Sequence, residues 1–586
     1  MARHQTLRAT LDWSHDLLPV PEQVVLRRLA IFAGGFTLAA ASKIVESAEI
    51  TAADVVDGIA NLVAKSLVRA DVGEGPAKFR LLETTRAYAL EKLSESGELE
   101  AIVRRHAEYY LDLFELAEAE WETRPTAEWL TDYRRHIDDL RVALDWAVSP
   151  GGDASIGVAL TAASVPLWLH LSMLSECRLR VERARALTSS EPASDQDARL
   201  QMKLNAALGL SLMQIEGPRR ADPEWTKALG LAERVDDAEY QLRVLWGLWA
   251  CCLSGGDYRT MLPLAQRFCS LAARSVDPAD ELIGERMMGI LLNYRGDQAQ
   301  AREYTERVLD RYVAPAHRSH TVRFQFDHRV LASITLARIL WLQGFPDRAI
   351  QIAQSSVDQA RAIDHLMSLC NALARAACPL ALFVGDLPMA ERAVAMLLSE
   401  SARHGLTVWQ LRGGCLQGIL QIRQGDPVAG LQLIRDALDE RRGTGFFLVY
   451  VEFPCSVVEG LVATGQVRQA IAAIDEALEQ SERTEERWCV AEQLRTKGEL
   501  LLMEGVQPAV TAAEDCFLHA LDVARRQGAM SWELRAAMSL GRLWRGQGRI
   551  TEARELLSPV YDRFNEGFET TDLKAAKLLV DDLRQP

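Results

Sequence analysis

Apolar positions recur every three to four residues along almost the whole chain, the period of helices with one buried face. Residues 3–18 open the pattern. Leu7, Leu11, Trp13 and Leu18 make an apolar stripe, and the stretch "LDWSHDLLP" (11–19) closes it at Pro19, so this helix is expected to pack inside a domain. Further helices are predicted over 21–32, with Pro21 at the first helical position, and over 37–48 and 52–64. The period then changes. "SLVRADV" (66–72) and "AKFRLL" (77–82) read as two short strands around a "GEGP" turn, and "ETTRAYALEKLSES" returns to a helix. Three or four helices followed by a two-stranded wing outline a winged helix over residues 1–98.

From residue 99 the helical period is unbroken. "RRHAEYYLDLFELAEAEWE" and "HIDDLRVALDWAV" form a helical connector over 99–150, and "SPGGDAS" (149–155) is the strongest linker pattern in the chain. Residues 151–586 then repeat. Glycines at 256, 296, 344, 385, 425, 465, 505 and 548 are spaced by 40, 48, 41, 40, 40, 40 and 43 residues. Five residues after each stands Met261, Ala301, Ala349, Ala390, Gly430, Ala470, Val510 or Ala553. A glycine ends a helix in the left-handed conformation, and a small residue one turn into the next helix lets the pair close up. The sustained period specifies stacked helical hairpins. The units exceed the usual tetratricopeptide (TPR) length and are called TPR-like. The predicted fold is mainly α: an N-terminal winged helix followed by a TPR-like α-helical-hairpin superhelix.

Composition narrows the function. The chain has 586 residues, 48% hydrophobic and 25% charged, the balance of an ordinary globular protein of several domains. The apolar run 157–174 is broken by Ser, Thr, Pro and His and reads as a buried helix pair, not a membrane span. No secretory leader is visible at the N-terminus, and ten scattered cysteines without a C-x-x-C fit small hydrophobes in a reducing compartment, so a cytoplasmic location is expected. No phosphate-cradling G-x-x-x-x-G-K-[ST], nucleophile elbow or H-E-x-x-H helix occurs; "FAGGFT" (32–37) reads as a turn. No enzymatic activity, cofactor or metal is expected.

A net charge of −15 disfavours a large nucleic-acid footprint. Residues 1–98 hold 11 Lys and Arg against 13 Asp and Glu, and the helix before the wing offers Asp54, Asp57 and only Lys65, a poor reader of a DNA groove. The 48-residue interval differs from the rest of the chain. "YVAPAHRSHTVRFQFDHRV" gathers His317, Arg318, His320, Arg323, Phe324, Phe326 and Arg329. Histidines beside arginines make a weak metal set, even with His328 and Asp327 included. The basic and aromatic character instead suggests a surface for an anionic ligand or an acidic partner segment.

"TLRATLDWSHDLLPVPEQVVLRRLAIFAGGFTLAAA" resembles the winged-helix domain that follows the nucleotide-binding core of STAND-type signalling ATPases, the NB-ARC proteins and a bacterial group of ATPase transcriptional regulators. Their "L-x-x-S-Y-D-x-L-P" is here "LDWSHDLLP", with His15 at the tyrosine. At the hairpin exit Leu81, Leu82 and Glu83 stand where those relatives carry a nucleotide-sensing Met-His-Asp triplet; the carboxylate is kept and the histidine is not. "HIDDLRVALDWAV" and the last repeats resemble the bacterial regulators. The resemblance implies a regulatory or sensor module that lacks the P-loop core and any OmpR-type DNA-binding or class III cyclase domain. Such a module would bind a protein or ligand through its repeats and work with an ATPase core or output module on another chain. The alternatives are a regulator touching DNA through its own winged helix, or a truncated remnant.

Overall fold

The structure is a computed structural model, described over residues 2–71, 77–313, 323–324, 326–441, 454–504 and 507–584. It divides into two compact units, Met1–Leu208 and the remainder of the described chain from Gly209.

The first unit begins with α1 (Ala2–Asp16), α2 (Val20–Leu29), β1 (Phe36–Thr37), α3 (Leu38–Val45), α4 (Ala52–Ala64), β2 (Val68–Asp71), β3 (Lys78–Leu81) and α5 (Glu83–Glu95). Caps explain the starts: the Thr37 hydroxyl accepts from Ala40 N–H, and Thr51 with Asp54 closes a reciprocal capping box on α4. The sheet order is β1-β3-β2, all antiparallel, with Phe36 opposite Phe79 and Arg69 opposite Arg80. The sequence pattern shows the wing strands but not β1. Phe36 is extended because its ring stacks on Phe32 at 4.7 Å in the core, a tertiary demand that a two-residue strand cannot advertise.

The opening helix departs from expectation. Leu18 is buried, but Trp13 is 67% exposed and, with Leu17 at 64% and Val20 at 70%, forms an apolar surface patch. The helix ends at Asp16, so Leu18 reaches the core from the turn beyond it, while Trp13 lies two residues from Leu11 and points to a different side of the helix.

Helix α6 (Leu99–Glu120) packs against α3 and against the helix Ala154–His170, so hairpins C-terminal to the winged helix belong to the same unit. Two carboxylates bind them, one buried and one half-buried. Asp139, fully buried, accepts from Ala33 N–H at 2.7 Å and lies 3.4 Å from His106 Nε2. Glu98 joins Arg27 (2.6 Å) and Arg28 at the entrance to α6. The glycine-rich stretch at 149–155 is a tight turn, not a linker. Gly151 has φ +96°, a Cβ on Gly152 would come within 2.1 Å of the Trp146 carbonyl, and Asp153 caps the next helix. The run 157–174 is one helix, Ala154–His170, with Pro166 inside it, and the start of the next, Leu174–Arg185.

The second unit stacks helical hairpins. At four junctions a left-handed glycine is followed at once by an aspartate that caps the next helix: Gly256–Asp257, Gly296–Asp297, Gly385–Asp386 and Gly425–Asp426. The residue five places on is fully buried at Met261, Ala301, Ala349, Ala390, Ala470 and Ala553. Gly430 meets Gly418 so closely that a Cβ on Gly430 would stand 2.4 Å from the Gly418 carbonyl oxygen. Among the described residues one helical run, Leu366–Val384, is long and apolar enough to cross a membrane; most of it is buried in the stack, with a π turn at Leu373–Ala377.

The last hairpins turn back onto earlier ones. Arg487 and Trp488 N–H both donate to the Tyr294 carbonyl (2.8 and 3.2 Å), and Arg535 Nη2 donates to the Phe383 carbonyl (3.2 Å). Trp341 stacks on Phe383 at 4.4 Å and meets Trp532 edge-on at 4.7 Å. A Cβ on Gly344 would stand 2.0 Å from Met530 Cε, and one on Gly385 2.0 Å from Thr571 Oγ1. Much of the face that an open solenoid would present to a partner is therefore occupied by the chain's own C-terminal repeats.

Candidate functional site

A well-formed cavity lies in the repeat unit, enclosing about 830 Å³ with the open space at its mouth. Its walls are mostly carbon: Trp246, Trp249, Trp409, Phe326 and Ile290, from three helices and the segment before His328. Three arginines line it, Arg286, Arg375 and Arg412, together with Asn371, Gln214 and Ser254, and no Asp or Glu does. Asn371 and Arg375 lie at and beside the π turn, where one extra residue per turn rotates the side chains that follow.

Arg286 is the unusual group. It is 2% exposed, and its Nε and Nη2 have no hydrogen-bond partner; its guanidinium lies 5.7 Å from the Trp249 ring centroid. The carboxylates near it on the same helix, Pro278–Arg295, are committed elsewhere. Asp280 binds Arg323 at 3.1 Å and Ser275 at 2.6 Å, and Glu285 pairs with Arg307 at 3.3 Å. Burial pulls the guanidinium's pKa down to about 9, the direction expected when a cation loses water without gaining an anion. The indole N–H groups of Trp246, Trp249 and Trp409, and Asn371 Oδ1, are likewise buried and unpartnered. Arg412 donates from Nε to the Ala374 carbonyl at 3.3 Å, which anchors it beside the π turn.

The residues singled out from sequence are placed as follows. His317, Arg318 and His320 lie outside the described residues. Arg323 is buried in an ion cluster with Asp280 (3.1 Å), Glu239 (3.7 Å) and Asp277 (3.8 Å), which holds three elements together. Phe324 is fully buried against His328 (5.3 Å), Trp246 and Phe268. Phe326 lines the cavity, Arg329 is exposed, and Asp327 caps the helix His328–Leu342 through Val330 N–H. Sequence reasoning missed Arg286. An arginine in a helix of otherwise mixed charge gives no sign that its neighbours' carboxylates go to other partners.

In the winged helix, Leu81 is buried at the end of β3, while Leu82 and Glu83 are exposed at the start of α5. The outer face of α4 shows Asp54, Val56, Asp57, Ala60 and Asn61, and Lys65 beyond it is taken by Glu22. The wing differs: Arg69 and Arg80 stand directly opposite each other and both are exposed.

Comparisons agree with this architecture. Residues 18–94 match the family model described as a winged helix-turn-helix domain. A protein of Mycobacterium tuberculosis and one of Mycobacterium bovis, each named "Putative HTH-type transcriptional regulator", are 30% identical to the chain over 496 residues, 75% of this chain and 53% of theirs. The chain thus spans about half the length of these relatives. Among solved structures, a STAND protein with a tetratricopeptide repeat sensor from Pyrococcus horikoshii aligns over 73% of this chain and 64% of its own (14% identity, TM-score 0.35). The Rap protein complexed with competence and sporulation factor aligns over 68% of this chain and 99% of its own (11% identity, TM-score 0.37). Residues 18–94 thus match a winged helix-turn-helix domain, helical hairpins follow it, and the chain is similar over 496 residues to these HTH-type regulators.

Proposed function

We propose that this chain is a non-enzymatic regulatory module in which the helical repeats bind an effector and the winged-helix unit relays that state by protein contact. The observation that carries the reading is the cavity of the repeat unit, formed by several hairpins at once and lined by unpartnered polar groups without a nucleophile–base pair. A ligand there would alter how hairpins pack, and packed hairpins have few intermediate arrangements. The relay side is supported by the exposed Trp13, Leu17 and Val20 patch, which suits a protein partner such as an ATPase core, and by the acidic outer face of α4. Such a partner, and a cytoplasmic setting, accord with the resemblance to STAND regulators.

The test is thermal melting of the full chain with a low-molecular-weight ultrafiltrate and with the retained macromolecules of bacterial extract. A rise of several degrees with either fraction, lost on its removal by dialysis or purification, is the expected result. Unchanged melting with both would sink the effector-binding reading.

A second reading, DNA contact through the protein's own winged helix, is favoured by the unpaired Arg69 and Arg80 on the wing. Because α4 presents carboxylates where a reading helix presents donors, the expectation is no sequence-specific DNA complex at physiological salt. Residual low-salt binding should vanish in an Arg69→Ala, Arg80→Ala variant. A discrete footprint at physiological salt would establish the second reading instead.

A further inference from the structure

We propose that the cavity of the repeat unit is a binding site for a small organic anion, a carboxylate on an aromatic or apolar body, whose charged group is received by Arg286. This deepens, and rests on, the reading of the repeats as an effector-binding unit.

Three observations converge. First, Arg286 is a buried cation without an anion among the described residues, while carboxylates on its own helix serve Arg323 and Arg307. A buried guanidinium without an opposite charge is costly, because it has lost water and gained no anion. A ligand carboxylate would supply that anion through charge-assisted hydrogen bonds in the fork geometry that guanidinium favours.

Second, the lining is one-sided in charge. Arg375 and Arg412 join Arg286 on the wall with no carboxylate, in a chain of net charge −15. A lining with cationic and no anionic side chains suits an anion better than a cation.

Third, the remaining wall is Trp246, Trp249, Trp409 and Phe326, flat apolar surfaces that pair with rings or alkyl chains. A bare phosphate would leave them unmatched, and the lining has no glycine-rich turn to cradle one.

The test uses the full chain and two dyes of nearly the same body. 1-Anilinonaphthalene-8-sulfonate carries an anionic group; N-phenyl-1-naphthylamine does not. Expected are saturable one-site fluorescence with the anionic dye, displacement by aromatic monocarboxylates, and a weaker affinity for the neutral dye. Arg286→Met keeps the volume and removes the charge. It should weaken the anionic dye about 10–100-fold, the range for a lost charge-assisted bond, and leave the neutral dye within about twofold. The ligand-free variant should melt at the same or a higher temperature than the parent, because an uncompensated buried charge is gone. Where Arg286→Met does not melt cooperatively, Arg286→Gln takes its place.

Equal affinities for the two dyes, an Arg286→Met variant that binds the anionic dye normally, or displacement by an acidic peptide but by no monocarboxylate would each overturn the proposal. Its failure is separable from that of the effector reading. If the extract still raises the melting temperature of Arg286→Met as it does the parent's, the repeats bind an effector and only the anion assignment falls.

Discussion

Asp139 shows how one side chain organises the first unit. It accepts from the Ala33 amide in the "FAGG" turn of the winged helix while standing on a helix about a hundred residues later, and Gly34 leaves it room: a Cβ there would come within 3.0 Å of Oδ2. Asp139→Ala leaves Ala33 N–H and the buried His106 without their acceptor. The loss should be about 1–3 kcal/mol, read as earlier melting of the first unit while dye binding in the repeat unit is unchanged. Acid acts through other groups. Burial pushes Glu98 up, but hydrogen bonds from Arg27 and Arg28 outweigh it and bring its pKa down to about 2 from 4.5. A carboxylate depressed in the folded state contributes stability above its unfolded value, and that contribution is lost as pH falls from 4.5 toward 2. His136, lowered by burial and then by Arg135 to about 4, sheds its contribution earlier, as pH falls from 6.5 to 4. Glu98→Gln should therefore flatten the acid limb of stability below pH 4.5 and leave the shallower slope above it; an unaltered limb would show that Glu98 does not anchor α6.

At the level of elements, the repeats are joined by a two-residue device, a left-handed glycine and a capping aspartate. The sequence period exposes the glycines and the small residue five places on; the aspartates were equally visible and went unread. Where the small residue is Gly430, the helices Thr407–Gln424 and Pro427–Arg441 come close enough that their backbones touch at Gly418. Gly430→Ala should cost about 1–3 kcal/mol by forcing the hairpin apart, despite alanine's better helix propensity. Equal or greater stability in urea titration would mean the hairpin yields without loss. Arg69 and Arg80 make a different kind of element-level feature. Like charges directly opposite on paired strands weaken the pairing slightly, so the wing retains them at some expense.

The second unit departs, as a whole, from the additive behaviour of an open solenoid, in which each repeat feels only its neighbours. Trp532, on the helix Met530–Gly546, packs on Trp341 about two hundred residues earlier and donates its indole N–H to the Trp488 carbonyl at 3.0 Å. Trp532→Ala should therefore lower hydrogen-exchange protection in His328–Leu342 as well as in the last repeats. Loss confined to residues 490–583 would show that the return contacts contribute little. The same closure bears on the proposed function, since the chain itself fills part of the face that an open solenoid would offer to a partner.

The winged helix and the hairpin period were legible in the sequence because they depend on local rules: apolar spacing and glycine's access to positive φ. Three features were not. The exposure of Trp13, the ion cluster that takes Arg323 into the core, and the isolation of Arg286 are each decided by partners distant in the chain. A side chain's type states what it can bind. Whether that need is met inside the protein or left for a ligand depends on which groups packing brings alongside, and only the tertiary structure decides that.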